Sequence, residues 1–215
     1  MKPSSTFRNL PAAKQERILD GALTEFAEKG YAQASLNTIV ARLGIAKGSI
    51  FQYFRDKSGL FGHVFEFAVD RVKEHLRRVR EATRGQDVFT RLHASLMAGL
   101  GLIEDRPRLF KLYLRIMFEG DVPFKGELQR SILLFGRDYI LDLLRDGVEA
   151  GELDPELDLE TAAFVVEAVL ERFLAARALE HMDPGLGLHG SPPERVGETA
   201  AGMVDMLRRG LGDGK

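Results

Sequence analysis

Apolar residues recur along this 215-residue chain at intervals of three and four, the spacing that stacks side chains on one face of an α-helix. Between residues 12 and 29, Ile18, Leu19, Ala22, Leu23 and Phe26 form one such stripe. Pro11 suits the first turn, where a missing N–H costs nothing, and Gly30 suits the position just past the end, where the backbone turns left-handed. Ser35 can cap a second helix whose apolar residues are Leu36, Ile39, Val40 and Leu43. Gly44 supplies the turn after it. A third short helix, about 46–54, keeps Ile50 and Phe54 inward. Three amphipathic helices this close together predict a small bundle.

The helical period continues. Asp56 is placed to cap a long helix through Leu60, Phe61, Val64, Phe65, Ala68 and Val72 to about Arg80. Breaks at 83–86, 105–107, 120–123, 151–155 and 183–190 leave helices over about 87–104, 107–118, 124–150, 158–182 and 192–211. Ser191, Pro192, Pro193 and Glu194 combine a capping hydroxyl, first-turn prolines and an acid three positions on, which marks the last helix start. No alternating strand pattern and no repeat is present. The predicted fold is all-α, with a three-helix N-terminal domain over residues 1–58, a larger helical domain over 59–215, and a connecting helix from about residue 57.

Charge refines this picture. The net charge of −2 is unremarkable, but residues 1–58 hold nine Lys or Arg against five acids, so a head of +4 precedes a body of −6. That asymmetry suits a polyanion-binding module joined to a body that resists phosphate. There are no cysteines, which excludes disulfide staples and thiolate metal sites. The N-terminal Met-Lys-Pro-Ser-Ser-Thr-Phe-Arg has no apolar signal region and no run approaches a membrane span. The expectation is a soluble, cytoplasmic protein without membrane contact.

Residues 35–57 read as two short helices around a tight turn, the arrangement that places side chains in the DNA major groove. Spacing alone fits a plain packed bundle equally well. The third helix tips the balance, because with Ile50 and Phe54 inward it leaves Lys47, Gly48, Ser49, Phe51, Gln52 and Tyr53 facing outward. Exposed aromatics beside a lysine and a glutamine serve solubility poorly and groove chemistry well. Gln52 can pair with adenine N6 and N7, Lys47 can donate to guanine, and Phe51 can touch thymine methyls. Ser35 and Asn37 open the second helix, where backbone N–H groups attract phosphate. Lys57 opens the long helix and adds its ammonium to another positive end.

The run Gly44-Ile45-Ala46-Lys47-Gly48-Ser49-Ile50-Phe51-Gln52-Tyr53-Phe54-Arg55-Asp56-Lys57 resembles the pattern Gly-hydrophobic-Ser-Lys-Gly-Thr-Leu-Tyr-x-His/Tyr-Phe-x-x-Lys of the TetR family of transcriptional regulators. The resemblance implies that Lys47, Gly48, Ser49, Phe51 and Gln52 face bases or backbone in the groove and that Tyr53 and Lys57 hold phosphates. Two departures matter. Ala46 stands where the pattern has Ser, which removes a helix cap, and Phe51 stands where it has Tyr, which removes a hydroxyl.

The same resemblance implies a ligand cavity in the body and a homodimer through the last two helices, both reading double-stranded DNA at a palindromic operator. Residues 87–182 hold many apolar and aromatic groups at helical spacing, and core packing accounts for any one of them. The candidates for contacting a small apolar or amphipathic effector are His93, Phe110, Tyr113, Met117, Phe135, Tyr139, Phe164 and Glu167, with Arg115 and Arg172 as further polar groups. Residues 183–190 spell Gly-x-Gly-x-x-Gly but follow a helix with no βαβ unit around them, which argues against a dinucleotide site. The five histidines lack metal-ligand spacing, and no nucleophile elbow or P-loop is present. No catalytic residue, metal or cofactor is assigned. The expected function is a TetR-type regulator, a repressor released from its operator by an effector. A ligand-blind dimeric DNA-binding protein and a helical small-molecule enzyme are the alternatives.

Overall fold

The computed structural model describes residues 4–183 and 185–212. Among them are ten α-helices and no strand: α1 (Ser5–Arg8), α2 (Ala12–Gln33), α3 (Leu36–Leu43), α4 (Lys47–Phe54), α5 (Lys57–Ala82), α6 (Val88–Asp105), α7 (Pro107–Phe118), α8 (Lys125–Glu149), α9 (Leu159–Ala178) and α10 (Pro193–Leu211), with a 3₁₀ turn at Glu180–Met182. No helix among the described residues is long and apolar enough to cross a membrane. The chain packs as two units, Met1–Glu74 with Arg106–Ser131, and His75–Asp105 with Ile132–Lys215. This packing division falls inside α5 and α8, and α7 packs with the N-terminal helices.

In the first unit, Ile18, Leu23, Phe26, Ile39, Ile50, Phe54, Leu60 and Phe61 form the buried center. Phe26 and Phe61 meet edge to face with ring centroids 5.0 Å apart. Gly21 lets α3 approach α2, since a Cβ there would lie 2.8 Å from Leu43 Cδ2. Gly30 interrupts α2 at φ 70°, so the terminus read from the sequence is a kink followed by one more short turn. The carbonyls just before that kink are held by α7. Arg115 donates from Nε to Ala27 O and from Nη2 to Glu28 O, each at 2.8 Å, and its third nitrogen pairs with Glu119. Gly30 also makes room for this pair, because a Cβ would lie 2.7 Å from the Glu119 carboxylate. Arg115 is thus a cap on α2, which corrects its reading as a group for orienting a ligand.

In the second unit, Val88, Phe89, Leu92, Leu141, Leu144, Ala163, Val166 and Val204 bury one core, and Leu96, Leu100, Phe173, Ala176, Leu188, Val196 and Ala200 bury another. Gly99 allows close packing, with Leu174 Cδ1 2.9 Å from where a Cβ would stand. Arg80 reaches Asp142 at 3.1 Å and Arg91 reaches Asp146 at 2.9 Å, ties between helices whose net worth is limited by their exposure. Ser191 does not cap α10, whose N-cap is Pro192 with no side-chain bond. Its hydroxyl instead donates to the Gly187 carbonyl inside the preceding loop. That loop is organised by Asp183, whose carboxylate accepts N–H groups from Leu186, Gly187 and His189. These bonds, led by that of His189, hold the Asp183 carboxyl below its ordinary value.

Candidate nucleic-acid interface

The motif is built by local chemistry that the sequence largely announces. Ser35 Oγ accepts from Thr38 N at 3.4 Å and begins α3. Gly44 adopts φ 65° and ψ 34° and ends it. Behind the turn, the carboxylate of Glu25 is 3 % exposed, accepts the Ser35 N–H at 3.1 Å and lies 3.5 Å from the Arg42 guanidinium. A buried charge needs such partners, and together they hold both ends of α3 against α2. Sequence reasoning missed Glu25. Its position beside Phe26 on the inner face of α2 was the available signal, since an acid on a buried stripe requires a donor.

Along α4, Lys47, Gly48, Phe51 and Gln52 are exposed and Ser49 is half-buried. Phe51 keeps 44 % of its surface accessible. Ser35 is half-buried and Asn37 exposed at the start of α3. Ala46 precedes α4 without a side-chain hydrogen bond, so the missing cap leaves backbone N–H groups at that end unpaired by a side chain.

Two of the assigned residues turn inward. Tyr53 is 8 % exposed and its ring lies 5.7 Å from that of Phe7, so it packs where a phosphate contact was expected. Lys57 donates from Nζ to Ala32 O at 3.1 Å and sits 4.8 Å above the Tyr31 ring. Burial pushes its pKa down against the opposing pull of Glu25. The ammonium ties the end of α2 to the start of α5. That start is capped by Asp56, whose Oδ1 accepts from Ser58 Oγ at 2.6 Å and Gly59 N at 2.7 Å. The Ser58 bond is the leading cause of a lowered Asp56 pKa.

No spacing or cap signal read from the sequence announces α1 (Ser5–Arg8). Ser4 Oγ accepts from Phe7 N at 3.2 Å, and Phe7 is 3 % exposed, a burial worth about 1.5–3 kcal/mol for a side chain of this size. Its ring lies 4.7 Å from Phe54 and 5.7 Å from Tyr53. Four residues make no stable helix alone, so α1 exists through this contact.

The residues read as ligand contacts divide between the units. Phe110, Tyr113 and Met117 lie half-buried on α7 in the first. His93, Phe135, Tyr139, Phe164 and Glu167 lie in the second. None of the eight is fully buried, and Tyr139 packs at the edge of the core built on Leu92, Leu141 and Ala163. Phe164 is 71 % exposed, which places it on an outer face of α9 rather than along a cavity. Tyr139 shares a hydrogen bond with Ser95 at 2.8 Å. Glu167 is half-buried against Gly136, its Oε1 2.5 Å from where a Cβ would stand, and burial, then Glu171, raises its pKa. His93 Nε2 is buried without a partner, as is His75 Nε2 on α5. An open cleft of about 470 Å³ in the first unit is lined by Arg17, Asp20, Gly21, Thr24, Glu28, Arg42, Leu43 and Arg108 and shares no residue with the ligand set. Among the described residues no group of three or more His, Asp or Glu is arranged to hold a metal ion.

A recognition helix displaying Lys47, Phe51 and Gln52, backed by a capped α3 and followed by a helical body, defines a helix-turn-helix DNA-binding regulator. Residues 18–64 match the family model described as bacterial regulatory proteins, tetR family. The chain is 28 % identical over 170 residues to the transcriptional regulator AcrR of Shigella flexneri, covering 75 % of this chain and 79 % of that protein. The crystal structure of a TetR family transcriptional regulator from Chloroflexus aurantiacus superposes with TM-score 0.67 at 29 % identity, over 99 % of this chain and 100 % of that one. The fold is also that of the transcriptional regulator FadR from Bacillus subtilis, solved in complex with stearoyl-CoA, with TM-score 0.71 at 17 % identity over 91 % and 98 % of the two chains. Residues 18–64 thus carry the tetR-family domain, and the chain over most of its length is similar to TetR family transcriptional regulators.

Proposed function

We propose that the protein is a homodimeric repressor that binds a palindromic operator through paired α4 helices and is released by a small apolar or amphipathic effector. The observation that carries the DNA-reading part is the exposed row of Lys47, Gly48, Phe51 and Gln52 on a helix whose opposite face, Ile50 and Phe54, is buried. An exposed Phe beside a hydrogen-bonding Gln is costly in water and useful against base edges. Gln52 reads a base, Phe51 covers a thymine methyl, and Ser35 and Asn37 present the N-terminus of α3 to phosphate.

Dimerisation is supported by large apolar side chains left bare on the last two helices, Phe164 at 71 % exposure and Met206 at 73 %. Two copies present their recognition helices about 34–36 Å apart, or a multiple of that, only if they are joined symmetrically. Effector binding is supported by the half-buried rings of Phe110 and Tyr113 on α7 and of Phe135 and Tyr139 on α8. The unpartnered Nε2 atoms of His93 and His75 supply what a ligand hydroxyl, amide or carboxylate would satisfy. The stearoyl-CoA bound by the Bacillus subtilis FadR makes long acyl chains the first ligands to try.

Selection of bound sequences from random DNA tests the reading. A palindrome is expected, and recovery of an unsymmetrical site or of no preferred site would overturn it. Ligands that raise the melting temperature should also weaken binding to the selected operator, by the reciprocity of linked equilibria. Stabilising ligands that leave operator affinity unchanged would favour a ligand-blind regulator.

A further inference from the structure

The recognition helix is short of its own support. It has eight residues, no side-chain cap at its start, and Arg55 at φ 68° directly after its end. The Asp56 N–H donates back to the Phe54 carbonyl at 2.9 Å, which makes Arg55 the center of a three-residue turn that L-residues adopt at a cost. Helices of this length do not persist in water unaided.

The missing support comes from residues 4–8, ahead of the matched region 18–64. The Ser4 N–H donates to the Tyr53 carbonyl at 3.1 Å, and so satisfies one of the acceptors that the last turn of a helix leaves unpaired. The Phe7 ring fills the space beside Tyr53 and Phe54. The segment is itself anchored to α2, where Gln15 Nε2 donates to Leu10 O at 2.8 Å and Arg8 O at 3.2 Å. One end of the clasp is fastened to the scaffold and the other grips the face of α4 opposite Gln52 and Phe51.

We infer that Ser4–Arg8 is a clasp that sets the pose of the recognition helix, with Phe7 as a positioning residue for sequence discrimination by Gln52 and Phe51. The inference rests on the DNA-reading function proposed above. Loosening the clasp lets α4 rock, which misaligns base contacts that demand direction. Phosphate contacts from the start of α3 stay in place, because the Ser35 backbone there is held by Glu25 of α2. Discrimination and bulk DNA affinity therefore separate.

The experiment uses full-length Phe7→Ala and Phe7→Leu. Without DNA, hydrogen exchange is expected to be at least tenfold faster at α4 amides in Phe7→Ala, with rates in α9 and α10 unchanged. With DNA, affinity for the selected operator should fall at least tenfold while affinity for random duplex, and its salt dependence, stays within twofold. Phe7→Leu, which keeps an apolar plug, should recover most of the loss. Unchanged α4 exchange, or equal losses on operator and random duplex, would overturn the assignment. If Phe7→Ala unfolds the head, Ser4→Pro decides: Ser4 already has φ −60°, which proline adopts, and only its N–H and hydroxyl are lost. Its operator-to-random ratio should drop at least threefold, and an unchanged ratio would overturn the clasp. A wild-type protein that selects no sequence would fault the DNA reading, while the α4 exchange rates still decide whether the clasp holds the helix.

Discussion

Replacing Arg115 by Met keeps the aliphatic stem and removes the two bonds that cap α2. Both are charge-assisted, and such bonds contribute about 1.5–3 kcal/mol each when their partners are buried. Here the Arg115 side chain is 28 % exposed and Glu28 lies at the surface, so water replaces part of the loss. Ala27, by contrast, is 1 % exposed, and its carbonyl recovers little. A total of about 2–3 kcal/mol follows, including the modest gain a cation makes at a helix C-terminus. For a chain of this size each kcal/mol moves the melting temperature by about 2–4 °C, so Arg115→Met should melt about 5–10 °C lower. Arg115→Lys should lose about half as much, because an ammonium reaches one carbonyl and keeps the charge. Circular dichroism during heating gives the shift, and exchange of the last α2 amides shows whether the loss is local. If Arg115→Met melts within about 1 °C of the parent, or if Lys is no better than Met, the cap contributes nothing and the argument fails.

Gly59→Ala would push a Cβ into the Phe54 carbonyl oxygen, and backbone on both sides cannot yield cheaply. A loss of about 3 kcal/mol in urea denaturation is expected, and an unmoved midpoint would refute the close approach. Asp56 is held below the usual carboxylate range by the Ser58 and Gly59 bonds, so its stabilisation is full above its unfolded pKa and disappears as pH falls through the folded one. Asp56→Asn keeps an acceptor that does not titrate and should flatten the acid limb of a melting-temperature profile below about pH 4. Glu167 is raised by burial and then by Glu171, so its ionised form opposes folding at neutral pH. Glu167→Gln should add roughly 0.5 kcal/mol there, a gain that shrinks as acid protonates the parent and whose absence at pH 7 would contradict the burial argument.

The helices of the body were legible because each carries a long apolar stripe and a strong break, such as Gly151 to Pro155 between α8 and α9. The motif was legible because its caps are local: Ser35, Gly44 and Asp56 act on residues within three or four positions. What escaped reading depends on distant partners. Lys57 bonds a carbonyl 25 residues away, and Arg115 bonds one 88 residues away. The first unit likewise includes α7 through contacts that no spacing encodes. Tyr53 is a different case. Ile50, Tyr53 and Phe54 stand at i, i+3 and i+4, the spacing of a single buried face, so periodicity alone places the ring inside. Taking Ile50 and Phe54 alone as the inner face put it outside, and the family pattern then gave it a phosphate. The Phe7 ring, 5.7 Å away, is a partner against which Tyr53 packs there.

The membership of α7 in the first unit gives the proposed effector response a physical route. Leu109, Leu112 and Ile116 form the buried face of this helix. Phe110, Tyr113 and Met117 lie beside that face, and Arg115 and Arg108 reach α2 at Ala27, Glu28 and Asp20. A ligand pressing on the first set, as proposed, would turn or shift a helix whose other side holds α2 at Ala27 and Glu28. Those residues lie between Glu25, which holds the start of α3, and Ala32, which is bonded to Lys57. Under that proposal a small movement of α7 would be delivered to both ends of the reading motif through these hydrogen bonds. Coupling of about 1–3 kcal/mol is ordinary for such switches, and loss of one or two charged bonds is of that size. The route has a signature that separates it from a ligand acting on the dimer contact. Arg115→Met should leave effector affinity in the free protein nearly intact while reducing the effector's influence on operator binding. Equal coupling in parent and variant would place the switch elsewhere.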